Sequence, residues 1–263
     1  MTCSCLQPEH VITTPNHAAL SEFLERLLLR SRLSDEEQAA ILGLNGQEKQ
    51  VPARRDLILP GRDVHFVSLV AEGLVGRFDQ MADGRRQITA FHIAGEMCDL
   101  HSVVAPVTGW GITALSTAVV LQIAHADLRV IAARYPNLVM AFWRDTTVDA
   151  SILAKWVANV GRKDSRARVA HLLCEMAMRM ERANLGTRHR YRLPVSQEQI
   201  GDAMGITSVH VSRTLQTLRA EGILSMHRHV VEIHDWDRLT DLADFVPTFM
   251  LFDDQAAPEF PAA

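Results

Sequence analysis

Residues 193–224 read LPVSQEQIGDAMGITSVHVSRTLQTLRAEGIL, and this stretch decides the fold. Ser196 has the form of a helix N-cap, and Gln199 three residues on completes a capping box. Pro194 closes off what precedes it. Ile200, Ala203 and Met204 recur at helical spacing and give that helix an inner face. Gly205 ends it, because the residue after a helix often needs positive φ. Thr207 restarts the chain as a second N-cap. Val211, Leu215 and Leu218 then follow at i, i+4 and i+7 as a buried stripe. Ser208, Val209, His210, Ser212 and Arg213 are left facing mainly the other way, and Gly222 stops the second helix. An exposed Arg, Ser and His in the first two turns of such a helix suit base reading, with His210 either joining that readout or only contacting phosphate. Arg can donate two bonds to guanine O6 and N7, Ser can bond several base edges, and an apolar group can meet a thymine methyl. The free N–H groups of the helix start suit phosphate.

Within this stretch the pattern IG..MGIT..HVSRTL..L...GI resembles the winged helix-turn-helix of the Crp/Fnr family of bacterial transcription regulators. Ser212 and Arg213 match the Ser-Arg pair with which the fumarate-nitrate-reduction branch reads its half-site. That branch has a glutamate three residues before the Ser, and here Val209 stands there, which implies a related but different site. The resemblance further implies a homodimer on a palindromic duplex, with RNA polymerase as a protein partner.

The chain has 263 residues, enough for two ordinary domains, and a globular composition of 48% hydrophobic and 22% charged residues. A net charge of −4 looks wrong for a DNA binder, but the charge is unevenly spread. From Gly161 to His234 there are 12 Lys and Arg against 7 Asp and Glu, while the remainder has 15 against 24. Positive charge therefore gathers around the helix-turn-helix, where phosphates would lie. Four scattered cysteines, Cys3, Cys5, Cys98 and Cys174, imply no disulfide framework. With no secretory pattern at the N-terminus and no long apolar run, a cytoplasmic protein off the membrane is expected.

The expected fold class is α+β: an antiparallel, jelly-roll-like β-roll, a long dimerisation helix and a winged helix-turn-helix. Residues 1–16 are read as a flexible N-terminus and 17–135 as the roll with flanking helices. Ser34 with Glu37 signals one of those helices. Short β-rich runs follow at residues 57–59, 65–70, 74–78, 88–92 and 119–123, with Asp83-Gly84 as a hairpin turn. Their order and spacing resemble the cyclic-nucleotide-binding roll of the same family. Residues 136–163 are the dimerisation helix and hinge. Val139, Trp143, Thr146, Ala150, Leu153, Val157 and Val160 alternate spacings of four and three, an a/d seam that suits a two-stranded coil. Gly161 is expected to interrupt that helix, with Asp164 capping the next. Residues 164–245 form the DNA-binding domain, in which Val169, Leu172, Leu173, Met176 and Met180 mark an amphipathic helix. Its wing is a hairpin around His227-Arg228-His229, with Arg228 placed to touch phosphate. Residues 246–263 are read as the C-terminal tail, of which Asp253 to Ala263, acidic and rich in Pro and Ala, are expected to be loose.

An effector site is expected around Gly95, Glu96, Trp110 and Leu153. In nucleotide-binding members an Arg-Ser pair behind a Gly-Glu turn holds the phosphate. Here Val107 to Ala114 contains no arginine, and Leu153 and Ala154 replace the Thr-Ser pair that meets adenine. Both departures argue against cyclic AMP. Cys3 and Cys5 supply only two N-terminal ligands where an iron–sulfur cluster needs four. Haem would need an axial ligand such as His65, His92 or His101, residues with an ordinary structural reading as well. No cofactor is therefore assigned.

No phosphate-binding glycine loop, metal-spaced His/Glu set or nucleophile elbow appears, so no enzyme is expected. The reading is a DNA-binding regulator with a recognition helix over 207–218. The alternatives are a regulatory subunit acting on protein partners, or a haem- or redox-sensing member of the same family.

Overall fold

The computed structural model describes residues 15–252. Helix α1 (Pro15–Leu28) lays Leu20, Phe23 and Leu24 against the roll, and α2 (Asp35–Leu42) starts at the expected Ser34–Glu37 capping box. Pro15 and Asn16 already belong to α1, so the expected flexible start ends earlier than residue 16; residues 1–14 lie outside the described part.

Seven strands build the roll. Strands β1 (Gly46–Val51), β3 (Phe66–Glu72) and β7 (Ala118–Ala124) form one sheet in the order β1-β7-β3. Strands β2 (Asp56–Ile58), β4 (Val75–Gln80), β5 (Arg86–His92) and β6 (Gly111–Ala114) form the other, in the order β2-β6-β4-β5. All neighbours are antiparallel, and β4 and β5 pair Gln80 with Arg86 across the Asp83-Gly84 turn. Two strands are not legible in the sequence. β1 is an edge strand whose middle is solvated, so its residues GQEKQV lack alternation. β6 is four residues long, wholly buried, and hidden behind the turn residues Gly109-Trp110-Gly111.

Helix α3 (His125–Arg134) leads into α4 (Pro136–Arg162), a helix of 27 residues. Gly161 does not interrupt it, contrary to expectation. A glycine inside a helix costs only about 1 kcal/mol, and the last turn continues to Arg162 before Lys163 leaves helical geometry. The chain turns at Lys163-Asp164, and Asp164 caps α5 (Ser165–Arg182) by accepting from the Ala167 N–H. One face of α4 is buried in its own chain through Leu138, Ala141, Val148, Ile152 and Trp156.

The C-terminal unit adds a sheet of β8 (Gly186–Thr187), β9 (Arg190–Arg192), β10 (Leu224–His227) and β11 (Val230–Ile233), in the order β10-β11-β9-β8. Helices α6 (Gln197–Met204), α7 (Ser208–Ala220) and α8 (Trp236–Ala243) pack on α5. The boundary expected at residue 245 does not hold. Pro247–Met250 form a 3-10 turn whose Phe249 and Met250 are buried, and Phe245 and Phe249 pack on His171 of α5 and on each other. Arg30, in the turn that follows α1, donates to the Met250 carbonyl at 2.9 Å, so this segment straps the C-terminal unit back onto the end of the N-terminal helix. The tail from Asp253 onward lies outside the described residues.

The hydrophobic core ignores the sequence boundary at Asp164. One cluster runs from Leu74, Phe91 and Ile93 of the roll, through Ile152 and Trp156 of α4, into Leu172, Met204 and Leu218.

Candidate nucleic-acid interface

The turn between α6 and α7 is built from local rules. Ser196 accepts the Gln199 N–H at 3.1 Å, and the Gln199 side chain accepts the Ser196 N–H at 2.8 Å. Gly205 sits at φ 65°, a left-handed conformation that glycine adopts without the penalty of a Cβ. Gly201 is needed for a different reason: a Cβ there would lie 2.5 Å from the Ile206 carbonyl, so only glycine lets the turn fold back onto α6. Arg168 of α5 donates to the Met204 carbonyl at 3.1 Å and satisfies one orphan group at the end of α6. Thr207 then caps α7, accepting from the His210 N–H.

Helix α7 buries Val211, Thr214 and Leu218, while Leu215, expected in that stripe, is only half-buried. Thr207, Ser208, Val209, His210 and Arg213 are exposed, and Ser212 is partly covered at the side of the same face. The His210 Nδ1 lies 2.8 Å from Thr207 Oγ1, which folds the ring back over the cap and turns Nε2 outward. Ser196, named with this group from the sequence, is half-buried at the start of α6 with its hydroxyl engaged in the cap. Arg228 is exposed at the wing tip. Arg228 (φ 47°) and His229 (φ 66°) form a two-residue hairpin turn with both residues left-handed, unusual without glycine. The turn is held because the Leu193 N–H donates to the His229 carbonyl at 2.7 Å and His229 Nδ1 lies 3.1 Å from the Val195 carbonyl. This ties the wing to the start of α6. Of the other basic residues nearby, Arg188 and Arg190 are paired with Glu181 and Glu232.

The α4 residues of the expected seam follow one face, opposite the buried one. Trp143 is 62% and Val157 66% exposed, Val139 and Ala150 are exposed, and Thr146 and Leu153 are half-covered. Val160 differs: its γ-carbon lies 3.3 Å from where a Cβ on Gly205 would be, so it packs beneath the helix-turn-helix of its own chain.

The four residues expected to share an effector pocket are not brought together. Gly95 lies against Glu22 of α1. Glu96 is buried and committed to ion pairs, with Arg26 at 2.7 Å and Arg179 of α5 at 2.6 Å. Burial by itself would raise its pKa, but Arg179 and Arg26 hold the carboxyl well below the usual range. Arg26 also meets Asp145 of α4 at 2.8 Å, Arg179 meets Glu175 at 2.8 Å, and Glu175 accepts the Trp156 indole N–H at 2.7 Å. The crevice beside Gly95 and Glu96 has a volume of only about 30 Å³. Trp110 and Leu153 do not line it. Trp110 packs instead on His101 and on Arg77, whose guanidinium carbon lies 5.6 Å from its ring. Arg77 reaches this place from β4, where it is buried and also bonds the Thr89 hydroxyl. Burial lowers the His101 pKa to about 4. Cys98 and Cys174 are buried free thiols in separate parts of the core, while Cys3 and Cys5 lie outside the described residues.

The Crp-like helix-turn-helix domain matches residues 167–242, the segment that carries this turn, helix and wing. The chain carries a Crp-like helix-turn-helix and is similar along most of its length to Crp/Fnr-family transcription regulators. Among Crp/Fnr relatives, the fumarate and nitrate reduction regulatory protein of Vibrio cholerae is 21% identical over 220 residues, covering 84% of this chain and 88% of its own. The transcriptional activator protein FnrL of Cereibacter sphaeroides is 23% identical over 214 residues, 80% of this chain and 85% of its own. The structure of FixK2 from Bradyrhizobium japonicum superposes with a TM-score of 0.65 at 25% identity, covering 76% of this chain and 98% of that one. The chain is accordingly a DNA-binding regulator of the Crp/Fnr type.

Proposed function

We propose that two copies of this regulator pair along the exposed face of α4 and deliver two α7 helices to the half-sites of a palindromic duplex. The observation that carries the reading is the position of two unpartnered faces on one chain. The α4 face through Val139, Trp143, Ala150 and Val157 leaves large apolar groups in water. The α7 face holds Ser208, Val209, His210, Ser212 and Arg213 near a helix start, the arrangement that reads bases and grips phosphate. Two such helices read one face of a duplex when spaced about 34 Å apart. The relatives' names support control of transcription; contact with RNA polymerase and a cytoplasmic location are part of what we propose. No helix of the described residues is long and apolar enough to cross a membrane. Regulation by DNA binding needs no catalytic step, so we assign no enzymatic activity.

Enrichment of bound sequences from a random duplex library tests the reading, and a two-fold symmetric motif is expected. Val157→Asp adds a charge to a residue already in water in the single chain, so the fold should survive. Sedimentation should then show monomers that bind a full site at least ten-fold more weakly. A Val157→Asp protein that stays dimeric and binds as wild type does would rule out this seam.

A further inference from the structure

Helix α7 carries an exposed glutamine, Gln216, that the helix-turn-helix pattern does not single out. Its buried positions, Val211, Thr214 and Leu218, fix the inner pole of the helix. At about 100° per residue the outer pole then falls among Val209, Arg213 and Gln216, spaced four and three apart. All three are exposed, Val209 at 55%. Ser208 and His210 lie on either flank of this stripe, and Thr217 beyond it bonds back to the Arg213 carbonyl. The Gln216 amide and the Arg213 guanidinium have no hydrogen-bond or ion-pair partner among the described residues. An amide held in a crowded surface network would be unavailable to DNA, and this one is not.

We propose that Gln216 reads an adenine. A glutamine amide has one acceptor and two donors on a plane, which match the N6 amino group and N7 of adenine with two bonds. The stripe from Val209 to Gln216 rises about 10 Å along the helix, at 1.5 Å per residue. That is about three base-pair steps at 3.4 Å each, within the reach of one major groove. Val209 faces a thymine methyl at the N-terminal end, Arg213 a guanine in the middle, and Gln216 the adenine at the far end. His210 sits to the side with Nε2 outward, where groove walls place phosphate oxygens and sequence is not read. The assignment rests on α7 being the groove-facing helix, so its test must separate that premise from the role of Gln216.

The experiment is selection from a random duplex library by wild type, Gln216→Ala and Arg213→Ala, with base preferences scored at each position. Gln216→Ala should lose an A·T preference at one position per half-site, by about 5- to 100-fold. It should keep the remaining positions, its thermal unfolding midpoint and the salt dependence of binding. Arg213→Ala should flatten a different position. If Arg213→Ala flattens a position and Gln216→Ala leaves every preference within two-fold of wild type, the role of Gln216 is refuted and α7 remains the reader. If Gln216→Ala weakens all sequences equally, Gln216 touches backbone and the proposal fails. If neither variant alters any preference, both the stripe and the choice of helix are wrong.

Discussion

Helix α7 and the junction around Glu96 both gather arginine and polar side chains, yet they hold them in opposite ways. On α7, Arg213 and Gln216 stand in solvent without partners, and the helix is stabilised by local means: a Thr207 cap and a three-residue inner stripe. At the junction, the buried Arg179 and the largely covered Arg26 are paired to carboxylates drawn from the roll, α4 and α5. An exposed, unpaired arginine is free to exchange water for a base or phosphate. A buried, paired one is already satisfied and acts as a fixed link between the two halves of the chain. If α7 reads DNA as proposed, variants at the two places will separate specificity from stability.

The largest effect is expected at the junction. Glu96→Ala removes the anion shared by Arg26 and Arg179, leaving Arg26 with Asp145 and the buried Arg179 with Glu175 alone. Stability to urea should fall by about 3–5 kcal/mol, while base preferences in whatever protein remains folded stay as in wild type. A loss under about 1 kcal/mol would show that the ion pairs are not what joins the halves.

A second buried carboxyl gives a pH dependence of known sign. Burial pushes Asp99 up to about 7, partly countered by the Ser68 N–H that it accepts at 2.6 Å. The folded chain therefore binds this proton at pH values where the unfolded chain has released it. Stability from this group is full below about pH 4 and is lost as pH rises toward 7, levelling off above that, by up to about 4 kcal/mol. Urea midpoints at pH 5 and pH 8 measure the slope. Asp99→Asn keeps an acceptor for Ser68 and should flatten it, whereas an unchanged slope would assign the dependence to another group.

The smallest effect is expected on α7. Thr207→Ala loses an N-cap and should cost about 1 kcal/mol of stability. It also frees the His210 ring, so affinity should fall across all sequences without a change in base preference. A flattened position in the selected motif would instead make His210 a base reader and would blur the line between flank and stripe.

These regions also differ in how far the sequence reveals them. Ser196, Gly205, Thr207 and Asp164 signal their roles through rules that act within three or four residues, and the structure places each where those rules put it. Gly161 misled because the penalty for glycine in a helix is smaller than what the packing of α4 supplies. β1 and β6 escaped because an edge strand need not alternate and a four-residue strand carries too little pattern. The effector expectation failed most clearly. Glu96 was grouped with Trp110 and Leu153 by chain position and resemblance, yet its carboxylate is claimed by Arg179, 83 residues later.

By itself, the amino-acid order determined the helix-turn-helix, its caps, its outward polar face and the general alternation of the roll, because local hydrogen bonding and periodicity govern all of these. Only the tertiary structure decided that Glu96 is a junction residue, that Arg77 reaches Trp110, that the Met250 carbonyl is held by Arg30 just after α1, and that Gln216 shares a pole with Arg213. The first three depend on which distant surfaces meet, and desolvation and charge pairing settle that only once the chain has closed on itself. The last depends on the helix phase, which Thr214 and Leu218 set by being the residues that the core buries.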